Sequence, residues 1–415
     1  MQPFARIGRR LTLILFIAQS LGSAGFITAG TINSIVGKTL SGDPFWAGLP
    51  SGVYLLGSAL AALVWGYGME RFGRRIGMTC GLAAGVAGSA LAALAVIGQS
   101  FALLLSGLAL MGVAQAALQF GRFVAAEVHL PEQRGRAISN VVLGGTVGAI
   151  FGPQMVVPGG YVMRRLGLPE LAGPYLISLA LFCIGVVVVW SQLRPEPREV
   201  GRELARLVAA QQPTQPAERA RPLGLILRQP AVITAVLTMT LSQVTMVMLM
   251  VITALHMSDH QHGLSAISLV ISSHTVGMFA FSIISGRLTD RLGRLPVIAI
   301  GAATLLTACL LAPLSPAVLP IAVALFLLGL GWNFCFVGGS SLLADQLSPA
   351  ERTKTQGFND LLIGLMSALG SIGSGVIFAT VGYGRMGLVG ALAALLALGL
   401  TLWRHRSQRA TLRAA

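Results

Sequence analysis

Charge is scarce in this 415-residue chain: 10% of its residues are Asp, Glu, Lys or Arg, against 54% that are hydrophobic. A water-soluble domain cannot solvate that balance, so a soluble enzyme or binding module is excluded. Acidic residues are scarcest, fourteen in all, and each falls in a loop or near the end of an apolar run. Mid-membrane carboxylates, the usual mark of proton coupling or organic-ion recognition, are therefore missing. The four cysteines, Cys80, Cys183, Cys309 and Cys335, lie inside apolar runs without CxxC spacing and read as packing residues. No HExxH occurs, which removes the intramembrane metalloprotease. The longest loop, about 30 residues, leaves no room for the sensory module of a receptor.

What is there is a succession of apolar runs, each long enough to cross a hydrocarbon core of about 30 Å as a helix of about 20 residues. Two runs, 76–121 and 295–344, are double length and break near Gly98–Ser100 and Pro313–Pro320. Twelve helices are predicted: 11–33, 45–68, 76–97, 101–127, 138–158, 173–192, 230–254, 264–286, 296–312, 317–343, 358–380 and 386–403. The first could imitate a signal peptide, but its length and the later loop charges favour a retained anchor. With both termini cytoplasmic, 25 of the 29 Lys and Arg fall on that side and four, Lys38, Arg164, Arg165 and Arg385, on the other. This obeys the positive-inside rule. Orientation and anionic lipid then account for the net charge of +15, and nucleic acid is not implied as a partner.

The loops repeat. Gly66-Tyr-Gly-Met-Glu70-Arg71-Phe-Gly73-Arg74-Arg75 follows helix 2, and Gly286-Arg-Leu-Thr-Asp290-Arg291-Leu-Gly293-Arg294 follows helix 8, an offset of 220. Glu127, Pro131 and Arg134 match Asp345, Pro349 and Arg352 at an offset of 218. The chain therefore divides into a six-helix half at 1–192, a cytoplasmic linker at 193–228 with a short amphipathic helix around 199–210, and a second six-helix half at 229–415.

On these loops the chain resembles the major facilitator superfamily, whose G-x-x-x-[DE]-R-x-G-R-[RK] pattern is matched at both places. The resemblance implies an all-α membrane protein of two six-helix halves, a transporter and not an enzyme, with its substrate site near the midplane between the repeats. Glu70, Arg71, Arg74, Asp290, Arg291 and Arg294 become gating candidates, because bonds from these loops to neighbouring helix ends would have to break when the halves rock. Plain topology and helix capping are the other reading. The drug/proton antiporter pattern fits less well: Leu108 stands where those proteins carry an arginine, four residues before Gly112, and helix 5 keeps only Gly148-x-x-x-Gly152-Pro153.

Five of the fourteen methionines fall within residues 238–257. At 100° per residue Met239, Met246, Met250 and Met257 share one face of helix 7, with Gln243 beside them and Met248 opposite. Such a stripe alone is more often flexible packing than a ladder of ligands. Helix 8, however, carries His274 and Met278 as an i, i+4 pair, and His274 is the only ionisable side chain near the middle of a predicted span. With the hairpin apex near residue 260, Met246 and His274 come level, about 14 Å below the outer boundary. Three thioethers and an imidazole without a carboxylate suit Cu(I); hard ions and zinc would recruit oxygen or thiolate. Neutral ligands also let a monovalent ion leave.

The two pairs, Met246-x-x-x-Met250 and His274-x-x-x-Met278, are similar in spacing and separation to the signature of the CcoA-like copper importers of the bacterial inner membrane. That resemblance implies that these four residues ligate copper as transported substrate, with no cofactor. It also implies inward transport, delivery to a cytoplasmic acceptor and supply of cbb3-type cytochrome c oxidase assembly. A monomer is expected. Met239 below the site and Met257 above it extend the stripe into a transfer path, and His256, His260 and His262 at the outer loop are capture candidates or simply a polar turn. The alternative is a proton-coupled carrier of a small organic solute, a drug or a vitamin such as riboflavin. Trp332, Asn333, Phe334 and Phe336 of helix 10 keep it open.

Overall fold

Apolar segments in lipid must satisfy their backbone hydrogen bonds internally, and the chain answers with helices throughout. The computed structural model describes residues 2–130, 133–209 and 220–414; Pro131, one member of the loop repeat, and residues 210–219 of the linker lie outside them. Among the described residues, eleven helical stretches are long and apolar enough to span a membrane. The last of them holds two of the twelve predicted spans, joined where Gly382 adopts φ 77° and ψ 173°.

One compact unit comprises residues 1–36 and 53–216. It contains α1 (Gln2–Gly30), α3 (Leu49–Phe72), α4 (Arg74–Ile97), α5 (Phe101–Gln119), α6 (Gly121–Glu127), α7 (Arg134–Phe151), α8 (Val156–Arg165), α9 (Gly173–Gln192) and α10 (Pro197–Ala209), while α2 (Asn33–Ser41) and the first turn of α3 straddle its boundary. Within it α4 packs on α5 and α9, and α1 packs on α7 and α9. The predicted break near Gly98–Ser100 is present: Ser100 caps α5, its hydroxyl accepting from the Leu103 amide at 3.3 Å. Predicted helix 5 is interrupted between Gly152 and Met155, where Pro153 has no N–H to continue the ladder.

The second unit comprises residues 37–52 and 217–415. Its helices are α11 (Leu223–Ile226), α12 (Pro230–Asp259), α13 (Leu264–Phe279), α14 (Ser282–Leu292), α15 (Arg294–Leu311), α16 (Val318–Ala344) and α17 (Pro349–Ala414). α12 packs on α17 and α16, α15 on α16 and α17, and α13 on α16.

Each end of the linker is tied to its own unit. Near the start, the Glu196 carboxylate accepts from the backbone amides of Arg74, at 2.5 Å, and Arg75, at 3.3 Å, capping α4 where a negative charge meets a helix N-terminus. At the far end, Arg221 donates to Glu351 through its backbone amide (2.9 Å), Nε (2.7 Å) and a terminal nitrogen (2.9 Å).

Candidate functional site

Met246 and Met250 sit on α12, His274 and Met278 on α13. Met246 and His274 are buried, Met250 and Met278 half-buried. Consecutive spans invite the expectation that the two pairs face each other directly, but α12 and α13 share little contact, and α16 lies against both. The reason is a close backbone approach between α13 and α16: a Cβ at Gly277 would overlap the Phe326 carbonyl, and one at Gly329 would overlap the His274 carbonyl.

The methionine face of α12 also turns to α16. The Met239 sulfur accepts from the Ser340 hydroxyl at 3.5 Å, and the Gln243 side-chain oxygen accepts from the Trp332 indole N–H at 2.6 Å. Met246, Met250 and Met257 follow on that face by helical rotation. Met248 lies elsewhere, its methyl 3.5 Å from where a Gly390 Cβ would stand. α16 serves as a ruler of depth. His274 meets the Leu325 carbonyl and Gln243 meets Trp332, seven residues or about 10 Å further along α16. Because α12 runs antiparallel to α16, Met250, seven residues beyond Gln243, rises about 10 Å the other way and comes level with His274, whereas Met246, expected at that level, lies four residues or about 6 Å lower.

His274 Nδ1 is 2.9 Å from the Leu325 carbonyl. A carbonyl only accepts, so Nδ1 carries the proton, and in the neutral ring Nε2 presents a lone pair. Nε2 is buried with no hydrogen-bond partner among the described residues. Histidines that ligate metals are oriented in this way, one nitrogen tied to a carbonyl and the other left open. Among the described residues no group of three or more His, Cys, Asp or Glu is placed to hold a metal ion, so an ion held here would need the sulfurs.

Met278 is placed by a break in its span. α13 ends at Phe279 and α14 begins at Ser282. Buried Asn333 of α16 fills the gap: its Nδ2 donates to the Met278 carbonyl at 2.6 Å and to the Ser282 hydroxyl at 2.9 Å, and its Oδ1 accepts from the Ser285 hydroxyl at 2.6 Å. Interrupted spans of this kind line binding sites in many transporters. Beside Asn333 on α16, Trp332 stacks on Phe336 with centroids 4.9 Å apart and planes at 19°, and Phe279 meets Trp332 edge-on at 6.4 Å. Contacts of Leu325 and Gly329 with His274, and of Ser340 with Met239, were not legible in the sequence; the glycines of helix 10 were the available signal.

At the end of α12, buried Met257 follows His256 within a histidine cluster. The His256 ring stacks on Tyr383 at 4.0 Å and meets His260 edge-on at 4.4 Å. His260 Nδ1 bonds the His256 carbonyl and His262 Nε2 the Pro316 carbonyl, each at 2.8 Å. The structure thus joins His256 with His260 and turns His262 away. Asp259 is paired with Lys38 at 2.6 Å.

The loop repeat has a structural counterpart. Arg74 holds Glu127 at 2.9 and 3.2 Å and donates to the Met69 carbonyl at 2.8 Å. Arg294 holds Asp345 at 2.8 Å and donates to the Thr289 carbonyl at 3.3 Å, with Asp290 3.7 Å away. Gly73 and Gly293 precede the two arginines with nearly identical backbones, φ 94° and ψ 163° against φ 89° and ψ 166°. Glu70, Arg71 and Arg291 are exposed.

A family model described as Major Facilitator Superfamily matches residues 15–265 and 236–415. The uncharacterized MFS-type transporter YdeG of Bacillus subtilis is 34% identical over 397 residues, covering 95% of this chain and 92% of that protein. The riboflavin transporter RfnT of Brucella anthropi is 32% identical over 361 residues, 86% of each. Among solved structures, a mutant of the nucleoside transporter NupG superposes with a TM-score of 0.73 over 94% of this chain and 99% of that one, at 16% identity, a likeness of fold alone.

Proposed function

The chain belongs to the major facilitator superfamily of membrane transporters, and within that family we propose that it imports copper across a bacterial cytoplasmic membrane by alternating access, with both termini cytoplasmic. The observation that carries this reading is the buried, partnerless Nε2 of His274, level with a thioether of α12. An imidazole lone pair and thioethers, with no carboxylate at that depth, form a donor set selective for Cu(I). Met246, Met250, His274 and Met278 are its ligands, with Met239 and Met257 continuing the path. Delivery to a cytoplasmic acceptor and supply of cbb3-type oxidase assembly rest on the resemblance to the CcoA-like importers. The test is radiocopper uptake by cells carrying the wild type, Met246→Leu, His274→Leu or Met248→Leu. Loss in the first two with retention in the third is expected; uptake by His274→Leu at the wild-type rate overturns the reading.

A second reading is favoured by the Trp332–Phe336 stack, whose outer ring face offers a stacking surface for a flat organic solute, and by the similarity to a riboflavin transporter. It predicts that a flavin auxotroph expressing this chain grows on external riboflavin and that Trp332→Ala abolishes that growth. Growth unaffected by Trp332→Ala speaks against it.

A further inference from the structure

On the predicted cytoplasmic side of the first unit, the end of α3, the start of α4, the end of α6 and the linker helix α10 line an open cavity of about 520 Å³, a volume suited to a small ligand or a lipid headgroup. Its walls carry four arginines, Arg71, Arg74, Arg198 and Arg202, and two carboxylates, Glu70 and Glu127. The pair Arg74–Glu127 satisfies itself through two hydrogen bonds. Three guanidinium groups then face one remaining carboxylate, that of Glu70. Gathering like charges around one hollow is unfavourable, and an anion among them relieves the repulsion.

The gathering is built by packing. Val200 and Leu204 of α10 are buried, and a Cβ on Gly201 would press into the Glu127 side chain. This seats the helix and places Arg198 and Arg202, four residues apart, on one face at the cavity wall. Arg198 also reaches the Arg71 carbonyl at 3.5 Å. The exposed Tyr67 adds a phenol at the rim.

We propose that this cavity binds a phosphate-bearing anion, clamped between Arg71 of α3 and Arg198 with Arg202 of the linker helix. Guanidinium forks match phosphate oxygens in pairs, and basic pockets on the cytoplasmic side of membrane helices take anionic headgroups. The phosphate can come from a membrane lipid or from solution, and this site is independent of what the protein carries.

The full chain is to be reconstituted in nanodiscs of phosphatidylcholine with or without a tenth of phosphatidic acid, and retained lipid counted by native mass spectrometry. In a parallel arm, inorganic pyrophosphate is titrated into phosphatidylcholine-only discs and thermal melting followed. One phosphatidic acid retained in preference to phosphatidylcholine assigns the lipid source; stabilisation by pyrophosphate assigns the soluble one. In either arm Arg198→Gln combined with Arg202→Gln weakens binding at least about tenfold, while Arg206→Gln on the same helix, outside the cavity wall, leaves it unchanged. Binding in neither arm, equal binding by the double variant, or equal loss in Arg206→Gln overturns the proposal.

Discussion

His274 gives its Nδ1 hydrogen to the Leu325 carbonyl, 2.9 Å away across the contact between α13 and α16, and this one bond decides which imidazole nitrogen stays open. Asparagine can make a similar donation but offers no imidazole lone pair. His274→Asn is expected to melt within about 1 kcal/mol of the wild type, the worth of one hydrogen bond, while copper uptake falls to background. Melting curves and uptake on the same preparation check both; copper transport retained by His274→Asn counts against ligation.

The methionine path separates rate from occupancy. Met239→Leu and Met257→Leu keep the buried volume but remove a sulfur at each end of the stripe. Both are expected to slow copper uptake several-fold while copper bound to the purified protein stays at the wild-type stoichiometry. Unchanged uptake in both variants removes the path.

Gly73 and Gly293 hold a backbone conformation open almost only to glycine, so alanine at either should cost about 1–3 kcal/mol. The two differ in surroundings. A Cβ at position 73 would lie 3.0 Å from the Glu196 carboxylate, whereas at position 293 the nearest atom is Pro296 Cδ at 3.9 Å. Gly73→Ala is therefore expected to lower the melting temperature more than Gly293→Ala, and the reverse order would contradict this account.

The paired arginines test gating. Arg74 and Glu127 are partly exposed, so breaking their ion pair should cost at most about 1 kcal/mol of stability. Transport should nonetheless fall in Arg74→Lys, because an ammonium cannot reproduce the two-point grip. A double exchange, Arg74→Glu with Glu127→Arg, is expected to recover part of the uptake; equal uptake by Arg74→Lys and wild type makes the contact structural only.

Glu351 sets a pH signature. Hydrogen bonds from the Arg221 side chain and backbone, and from the Ser348 amide, hold its carboxyl well below the ordinary carboxylate range. A depressed native value means the stabilisation is complete above the unfolded value of about 4.3 and is lost progressively as pH falls from there through the native one. The melting difference between wild type and Glu351→Gln should stay constant from pH 7.5 to about 5 and narrow below about 4.3. A difference that already closes between pH 7 and 5 would contradict the ion pair.

The sequence by itself determined the membrane-spanning helices and the superfamily, because apolar length, loop charge and the repeat around Gly73 and Gly293 are properties of consecutive residues. It determined the methionine face of α12 for the same reason: rotation along one helix follows from spacing. What it could not determine was which helix that face meets, and the break after Phe279 escaped it because the residues around it are as apolar as any helix interior. The tertiary structure decided both. Glycines at 277 and 329 let α13 and α16 touch backbone to backbone, and Asn333 satisfies the carbonyl that the break exposes. Partners hundreds of atoms away along the chain, such as Leu325 for His274, are chosen by packing between helices, and packing leaves no periodic trace in a single sequence.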